Sequence, residues 1–178
     1  MTLPWCAGRP RGLASTGSAA PPAHILVFLA DMDTGEMDVG AVMRTELVTL
    51  ASDERLDVAS DIMTLGRIRH IPVVRGTEVV GILTQRDLYR AASSSALDLR
   101  PAAEREWLAK IPVAEVMTRP VVTAPPDLPV RDAVRLMLER RIGCLPIVRS
   151  GQLVGLVSES DCLALLARLL APAPRSAA

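Results

Sequence analysis

The sequence predicts an α+β fold made of two tandem β-α-β-β-α units packed about a pseudo-twofold axis. Three observations carry that prediction. Residues 42–88 overlay residues 116–162 at an offset of 74 without a gap, and 15 of the 47 pairs are identical, among them Met43 with Met117, Arg67 with Arg141, Pro72 with Pro146, Gly81 with Gly155 and Asp87 with Asp161. Each copy carries a helix-period apolar pattern followed by two β-branched runs around a short polar turn. Each copy is also only about 50 residues long, too short to bury a sufficient core alone, so the halves are expected to fold as one body.

Residues 1–36 are rich in Ala, Pro, Gly and Ser and lie outside the repeat. They are expected to be a disordered extension, or the product of an early start with Met32 or Met37 as the true one. The first unit is placed at 37–92, a linker at 93–112, the second unit at 113–170 and a frayed tail at 171–178. Within the first unit, Leu47–Leu50 reads as a short strand. Asp53 then caps a helix with apolar positions Leu56, Ala59, Ile62, Met63 and Leu65. In the second unit Asp127 caps, Pro129 suits the first turn, and Val130, Ala133, Val134, Met137 and Leu138 follow at helical spacing. Ile71–Val74 and Val79–Leu83 flank the turn Arg75–Glu78 and read as a hairpin, repeated by Leu145–Val148 and Leu153–Val157. Each unit closes with a helix. The linker holds a short helix over Pro101–Lys110, expected to pack on the second unit through Trp107, Leu108 and Ile111.

The chain is 49% hydrophobic yet has two Trp, one Tyr and one Phe, so its core must be aliphatic. A formal net charge of zero argues against a protein held on DNA, RNA or an acidic membrane by bulk electrostatics. The longest N-terminal apolar run, Ile25–Ala30, is too short to span a bilayer. Cys6, Cys144 and Cys162 show neither metal-ligand spacing nor a disulfide framework, which fits a cytoplasmic setting.

Thr84-x-x-Asp87 and Ser158-x-x-Asp161 stand where a strand gives way to a helix. Such a pair is a variant capping box, with hydroxyl and carboxylate serving the orphan N–H groups. A carboxylate at that point can also accept bonds from the vicinal hydroxyls of a ribose, each worth about 1.5–3 kcal/mol. Gly81 and Gly155, three residues earlier, permit close approach to the backbone. A phosphate on such a ligand would need cations elsewhere. Arg69 and His70 can supply them, or can equally be a solvated end to the first helix, the reading preferred for Arg67. Their mates are Gly143 and Cys144, so the two sites should differ. An adenine slot could be lined by Val48, Thr49, Ile71 and Pro72 and by Val122, Thr123, Leu145 and Pro146, whose default place is the core. Pro72 and Pro146 suggest a sheet edge there.

These residues resemble the cystathionine-β-synthase (CBS) domain family, arranged as the tandem pair called a Bateman module. The resemblance rests on Val42-Met43 and Val116-Met117, on Ile71-Pro72-Val73-Val74 and Leu145-Pro146-Ile147-Val148, and on the two Gly-h-h-Thr/Ser-x-x-Asp endings, and spans about residues 38–170. It implies units that pack through their sheets and leave two clefts for AMP, ADP, ATP or S-adenosylmethionine. It places ribose contacts on Asp87 and Asp161, ribose or phosphate contacts on Thr84 and Ser158, and phosphate contacts on Arg69 and His70. It also implies a homodimer. The function expected is a stand-alone regulatory module acting on an effector protein; the alternative is a ligand-free dimerisation module. No nucleophile–base constellation supports an enzyme, and no catalytic cofactor, metal, nucleic-acid or membrane partner is expected.

Overall fold

The computed structural model describes residues 37–93 and 101–170. The expectations for 1–36 and 171–178 lie outside the described residues. The first unit runs β1 (Leu50–Ala51), α1 (Leu56–Gly66), β2 (His70–Arg75), β3 (Glu78–Thr84) and α2 (Gln85–Ser93). The helix α3 (Pro101–Leu108) leads to α4 (Val113–Val116), α5 (Val130–Arg140), β4 (Cys144–Arg149), β5 (Gln152–Ser158) and α6 (Glu159–Leu169). A 3-10 turn, Val39–Ala41, stands ahead of β1 as α4 stands ahead of α5.

Both hairpins form as the β-branched runs predict. β2 pairs antiparallel with β3 from His70–Thr84 to Arg75–Glu78, and β4 with β5 from Cys144–Ser158 to Arg149–Gln152. The pairing shifts at equivalent points, between Val73 and Val74 and between Ile147 and Val148. Gly76 and Gly151 occupy the turns with φ of 63° and 81°, a region that only glycine enters without steric cost.

The first strand of each unit is shorter than expected. β1 pairs in parallel with Val73 and Val74 alone, and its mate is a single bridge between Ala124 and Ile147. Val48 and Thr49 stay exposed outside the ladder. The chain here serves two sheets. Arg44 pairs with Leu156 of β5, so residues 45–49 are spent crossing from one unit to the other. Pro72 is not at a sheet edge either, since β2 is the central strand of β1-β2-β3. Its missing N–H is tolerated because β1 reaches only Val73 and Val74.

The crossing is reciprocal and is the main architectural feature. Arg44 pairs with Leu156 and Thr118 with Ile82; Asp38 pairs with Pro129 and Pro112 with Arg55. Each of these pairs maps onto its counterpart at the offset of 74. Helix starts depend on the exchange. Asp53 and Asp127 are not the caps; Arg55 and Pro129 are, without a side-chain hydrogen bond. The Leu56 N–H instead donates to Ile111 O at 3.1 Å, and the Val130 N–H to Met37 O at 2.9 Å. Orphan donors at a helix start need an acceptor, and here the backbone leading into the other unit provides it.

Two cores result. One gathers Leu56, Ala59, Met63, Ile71, Val73 and Leu83 with Val113 and Met117 from the second unit's lead-in. The other gathers Val130, Ala133, Met137, Leu145, Ile147 and Val157 with Val39, and Met37, Val42 and Met43 pack against it. Burying a Val or Met side chain contributes about 1.5–3 kcal/mol, so each lead-in ties the units together strongly. α3 packs on the first unit, contrary to the expectation for the linker. Leu108 is buried in the first core, Trp107 Nε1 donates to Ala91 O at 3.1 Å, and Arg105 pairs with both Asp61 oxygens at 2.9 and 2.7 Å.

Candidate ligand-binding clefts

Thr84 ends β3 and Asp87 lies in the first turn of α2, so the strand-to-helix junction brings them together. Asp87 Oδ2 accepts from the Thr84 N–H at 3.0 Å and from the Thr84 hydroxyl at 2.6 Å. The Asp87 N–H donates back to Thr84 Oγ1 at 3.2 Å. Asp87 Oδ1 lies 3.6 Å from Arg90 Nη1. Asp87 is only 6% exposed but lines the neighbouring cleft, and its cap bonds use Oδ2 alone, so capping and a ligand contact are compatible roles for one residue.

At the second junction Asp161 Oδ2 accepts from the Ser158 N–H at 2.9 Å and the Ser158 hydroxyl at 2.5 Å, completing a capping box. Its Oδ1 is taken by Arg44 Nε at 2.8 Å. Arg44 comes from the first unit's lead-in, and its mate beside the Asp87 junction is Thr118. Burial pushes the Asp161 carboxyl up, but the Ser158 and Arg44 hydrogen bonds outweigh it and hold it below its ordinary value of 3.8. A carboxylate lowered on folding stabilises the fold above its unfolded value, and that contribution is lost as pH falls through the folded one. Acid unfolding of the wild type should therefore steepen below pH 3.8. Arg44→Thr should reduce that steepening in urea titrations at stepped pH. Identical pH profiles would contradict the assignment.

The large cleft, of about 620 Å³, is lined by Thr84, Asp87, Arg69, His70 and Pro146. Ile82, Thr118, Pro120, Val121, Val122, Arg141 and Glu159 also line it. The small one, of about 100 Å³, holds Ser158, Asp161, Arg44, Arg67, Arg69, His70 and Glu159. Ligand sites typically measure about 300–1,000 Å³, so of these two the first alone has room for a nucleotide as it stands; the open depression beside Thr123, of about 630 Å³, is lined by neither Asp87 nor Asp161. The second is filled by its own arginines: Arg44 on Asp161, and Arg69 Nη2 at 3.2 Å from Ser160 Oγ.

Arg69 and His70 thus line both clefts, and the Arg69 guanidinium reaches the second unit's helix rather than Asp87. His70 fills the space beside Gly143, where an added Cβ would come within 2.8 Å of Nε2. Burial, aided by the charge of Arg69, holds the His70 imidazole below its ordinary 6.5, against the opposing pull of Glu159 and Asp87. Ile71, Pro72, Leu145 and Pro146 are fully buried and belong to the interior, and of the four only Pro146 borders the large cleft. Thr123 is exposed and lines a neighbouring open depression with Val121 and Arg119. Val48 and Thr49 line neither cleft. Burial, with the charge of Glu159, pushes the buried Cys144 thiol up to about 12, so it is a packed group and not a nucleophile.

Arg44, Glu159 and Arg141 were not found from sequence, and Arg67, read there as a solvated helix end, lines the small cleft. Arg44 has Thr118 as its mate, so the repeat gave no hint of it. Glu159 faces His70 from the start of α6. Arg141 and Arg67 are an identical pair, each closing its helix in the left-handed region at φ 53° and 50°. That conformation costs a non-glycine residue about 1–2 kcal/mol and aims both arginines at the clefts. With Arg69, Arg86 and Arg90 beside Arg141, the large cleft has four arginines against Asp87 and Glu159 and suits an anion. Among the described residues, no cluster suits a metal and no helix is long and apolar enough to cross a membrane.

The family model of the CBS domain matches residues 39–94 and 113–168. A CBS domain-containing protein of Dictyostelium discoideum is 35% identical over 138 residues, covering 76% of this chain and 95% of the relative. An inosine-5'-monophosphate dehydrogenase of Thermoplasma acidophilum is 31% identical over 119 residues, 66% of this chain and 21% of that enzyme. The chain spans about half the length of a further relative, from Thermofilum pendens (49%). Among solved structures, the CBS domain pair of protein MJ0100, in complex with 5'-methylthioadenosine and S-adenosyl-L-methionine, matches with a TM-score of 0.64 at 26% identity, covering 75% of this chain and 98% of that one. Two family matches at the offset of the internal repeat, on a pair of reciprocally crossed α+β units, establish that this chain belongs to the CBS domain family as a tandem pair.

Proposed function

We propose that the chain is a regulatory module that binds one adenosine-containing ligand (AMP, ADP, ATP or S-adenosylmethionine) in the Asp87 cleft and passes a change of shape to an effector protein or to its own homodimer. The observation that carries this reading is an open cleft of about 620 Å³ with Asp87, already oriented by Thr84, on its wall. Ribose hydroxyls would meet Asp87. The apolar wall of Ile82, Pro120, Val121, Val122 and Pro146 suits a purine, and Arg141 suits a phosphate. The adenosine compounds bound to the MJ0100 pair support the ligand class. A ligand acts only through unequal affinity for two conformations, and the crossed lead-ins are the elements that a closing cleft would move. The chain acts without catalysis of its own, and a cytoplasmic setting belongs to the same reading.

The test is isothermal titration of the full chain with each of the four ligands. Saturable heat supports the proposal. Absence of heat at millimolar ligand would leave the other reading, a dimerisation module, which the self-filled second cleft and exposed Leu65 and Val58 on α1 favour.

The inequality of the clefts gives a separate expectation. Arg44→Thr copies Thr118 into the second site and releases Asp161 Oδ1. It should raise stoichiometry from one ligand per chain toward two. An unchanged stoichiometry would show that Arg44 does not close that cleft.

A further inference from the structure

Among the described residues, four line both clefts: Arg69, His70, Gly143 and Glu159. Arg69 and Gly143 are mates at the offset of 74, and their backbones do the same work. The Gln85 N–H donates to Arg69 O at 2.9 Å at the start of α2, and the Glu159 N–H to Gly143 O at 3.1 Å at the start of α6. The two positions differ in the side chain. Gly143 offers none, so the pair contributes a single guanidinium to the wall between the clefts.

Arg69 spends that guanidinium on the second unit. Its Nη2 donates to Ser160 Oγ at 3.2 Å, and Ser160 lines the small cleft but not the large one. Both residues are exposed. The tie is one bond to a neutral acceptor, made between the start of β2 and the first turn of α6. A phosphate in the Asp87 cleft, whose wall also includes Arg69, would present two charged oxygens in the fork geometry that a guanidinium prefers. A charged, bidentate acceptor outcompetes a lone hydroxyl for a shared donor.

Resting on the Asp87 cleft as the nucleotide site, we infer that Arg69 exchanges partners on binding: it leaves Ser160 Oγ for the phosphate of the ligand. Adenosine ligands that carry a phosphate therefore release the first turn of α6, and a neutral adenosine ligand fills the cleft without releasing it. Arg44 keeps its bond to Asp161, so the small cleft loosens but takes no second ligand. A donor shared by two acceptors couples them, and the coupling is reciprocal. Whatever frees Arg69 from Ser160 must strengthen the hold on phosphate.

The test is isothermal titration of the full chain with AMP and with adenosine, a pair that differs by the phosphate. Ser160→Ala, outside the large cleft, should bind AMP about threefold more tightly and adenosine as before. Arg69→Ala should bind AMP about tenfold more weakly than the wild type and adenosine as before. Adding Ser160→Ala to Arg69→Ala should change nothing further, because the shared donor is gone. Urea unfolding checks that the variants stay folded. AMP affinity unmoved by Ser160→Ala, an equal gain for adenosine, or a gain that persists without Arg69 would overturn the inference and leave the Asp87 cleft standing. Absence of heat with both ligands in the wild type would overturn the nucleotide reading and this inference with it.

Discussion

Asp87→Ala is expected to weaken adenosine-ligand binding roughly a hundredfold while costing the fold only about 1 kcal/mol. The two effects separate because the carboxylate has two jobs. Oδ2 takes the Thr84 N–H and hydroxyl, and losing such a cap costs about 0.5–2 kcal/mol. Under the proposed function Oδ1 would accept from a ribose hydroxyl, and a charge-assisted bond there is worth about 1.5–3 kcal/mol. Asp87→Asn keeps an acceptor for the cap but loses the charge. It should restore most of the stability and little of the affinity. Calorimetric titration beside urea unfolding reads both quantities. A variant that loses stability and keeps its affinity would reduce Asp87 to a cap.

Gly81→Ala should destabilise the protein by about 1–3 kcal/mol, although Gly→Ala in a strand ordinarily gains about 0.5–1 kcal/mol. An added Cβ would overlap Met117 Sδ, lie 2.8 Å from Cγ and lie 3.2 Å from Cβ. The conflict reaches the root of the methionine side chain, which is buried in the first core, so a rotation of its tip does not relieve it. Gly155 faces Met43 in the same way. Gly81 and Gly155, expected from sequence to admit a ligand, instead admit the other unit's lead-in. The double variant Gly81→Ala/Met117→Ala should be more stable than the two single losses add up to, a coupling that only direct contact gives. Strict additivity in urea unfolding would contradict the crossing.

Asp87 and Gly81 mark where the sequence was legible and where it was not. Hairpins and helices follow from local periodicity and β-branching, so His70–Thr84 and Cys144–Ser158 fold much as read. The exchange of lead-ins leaves no periodic trace, because its paired residues sit between 36 and 112 positions apart. Its one signature was the conservation of Met43, Met117, Gly81 and Gly155 together, which reads as contact only once the crossing is known. Asp53 and Asp127 were misplaced as caps for the same reason: the acceptors for α1 and α5 are Ile111 O and Met37 O. The site was half legible. Thr84, Asp87, Ser158 and Asp161 announce themselves through local spacing. Arg44 and Arg141 depend on which unit faces which, and Arg69, placed with Asp87 by its position in the chain, reaches across to Ser160.

The central claim is a pseudo-symmetric pair with one open adenosine cleft, the other being closed by Arg44 and Arg69. Native mass spectrometry of the full chain at rising AMP or ATP tests it most directly by counting ligands on each protein chain. One ligand per chain, lost in Asp87→Ala and retained in Asp161→Ala, is the result the structure predicts. Two ligands per chain filling with equal affinity, or one ligand that survives Asp87→Ala and disappears with Asp161→Ala, would contradict it.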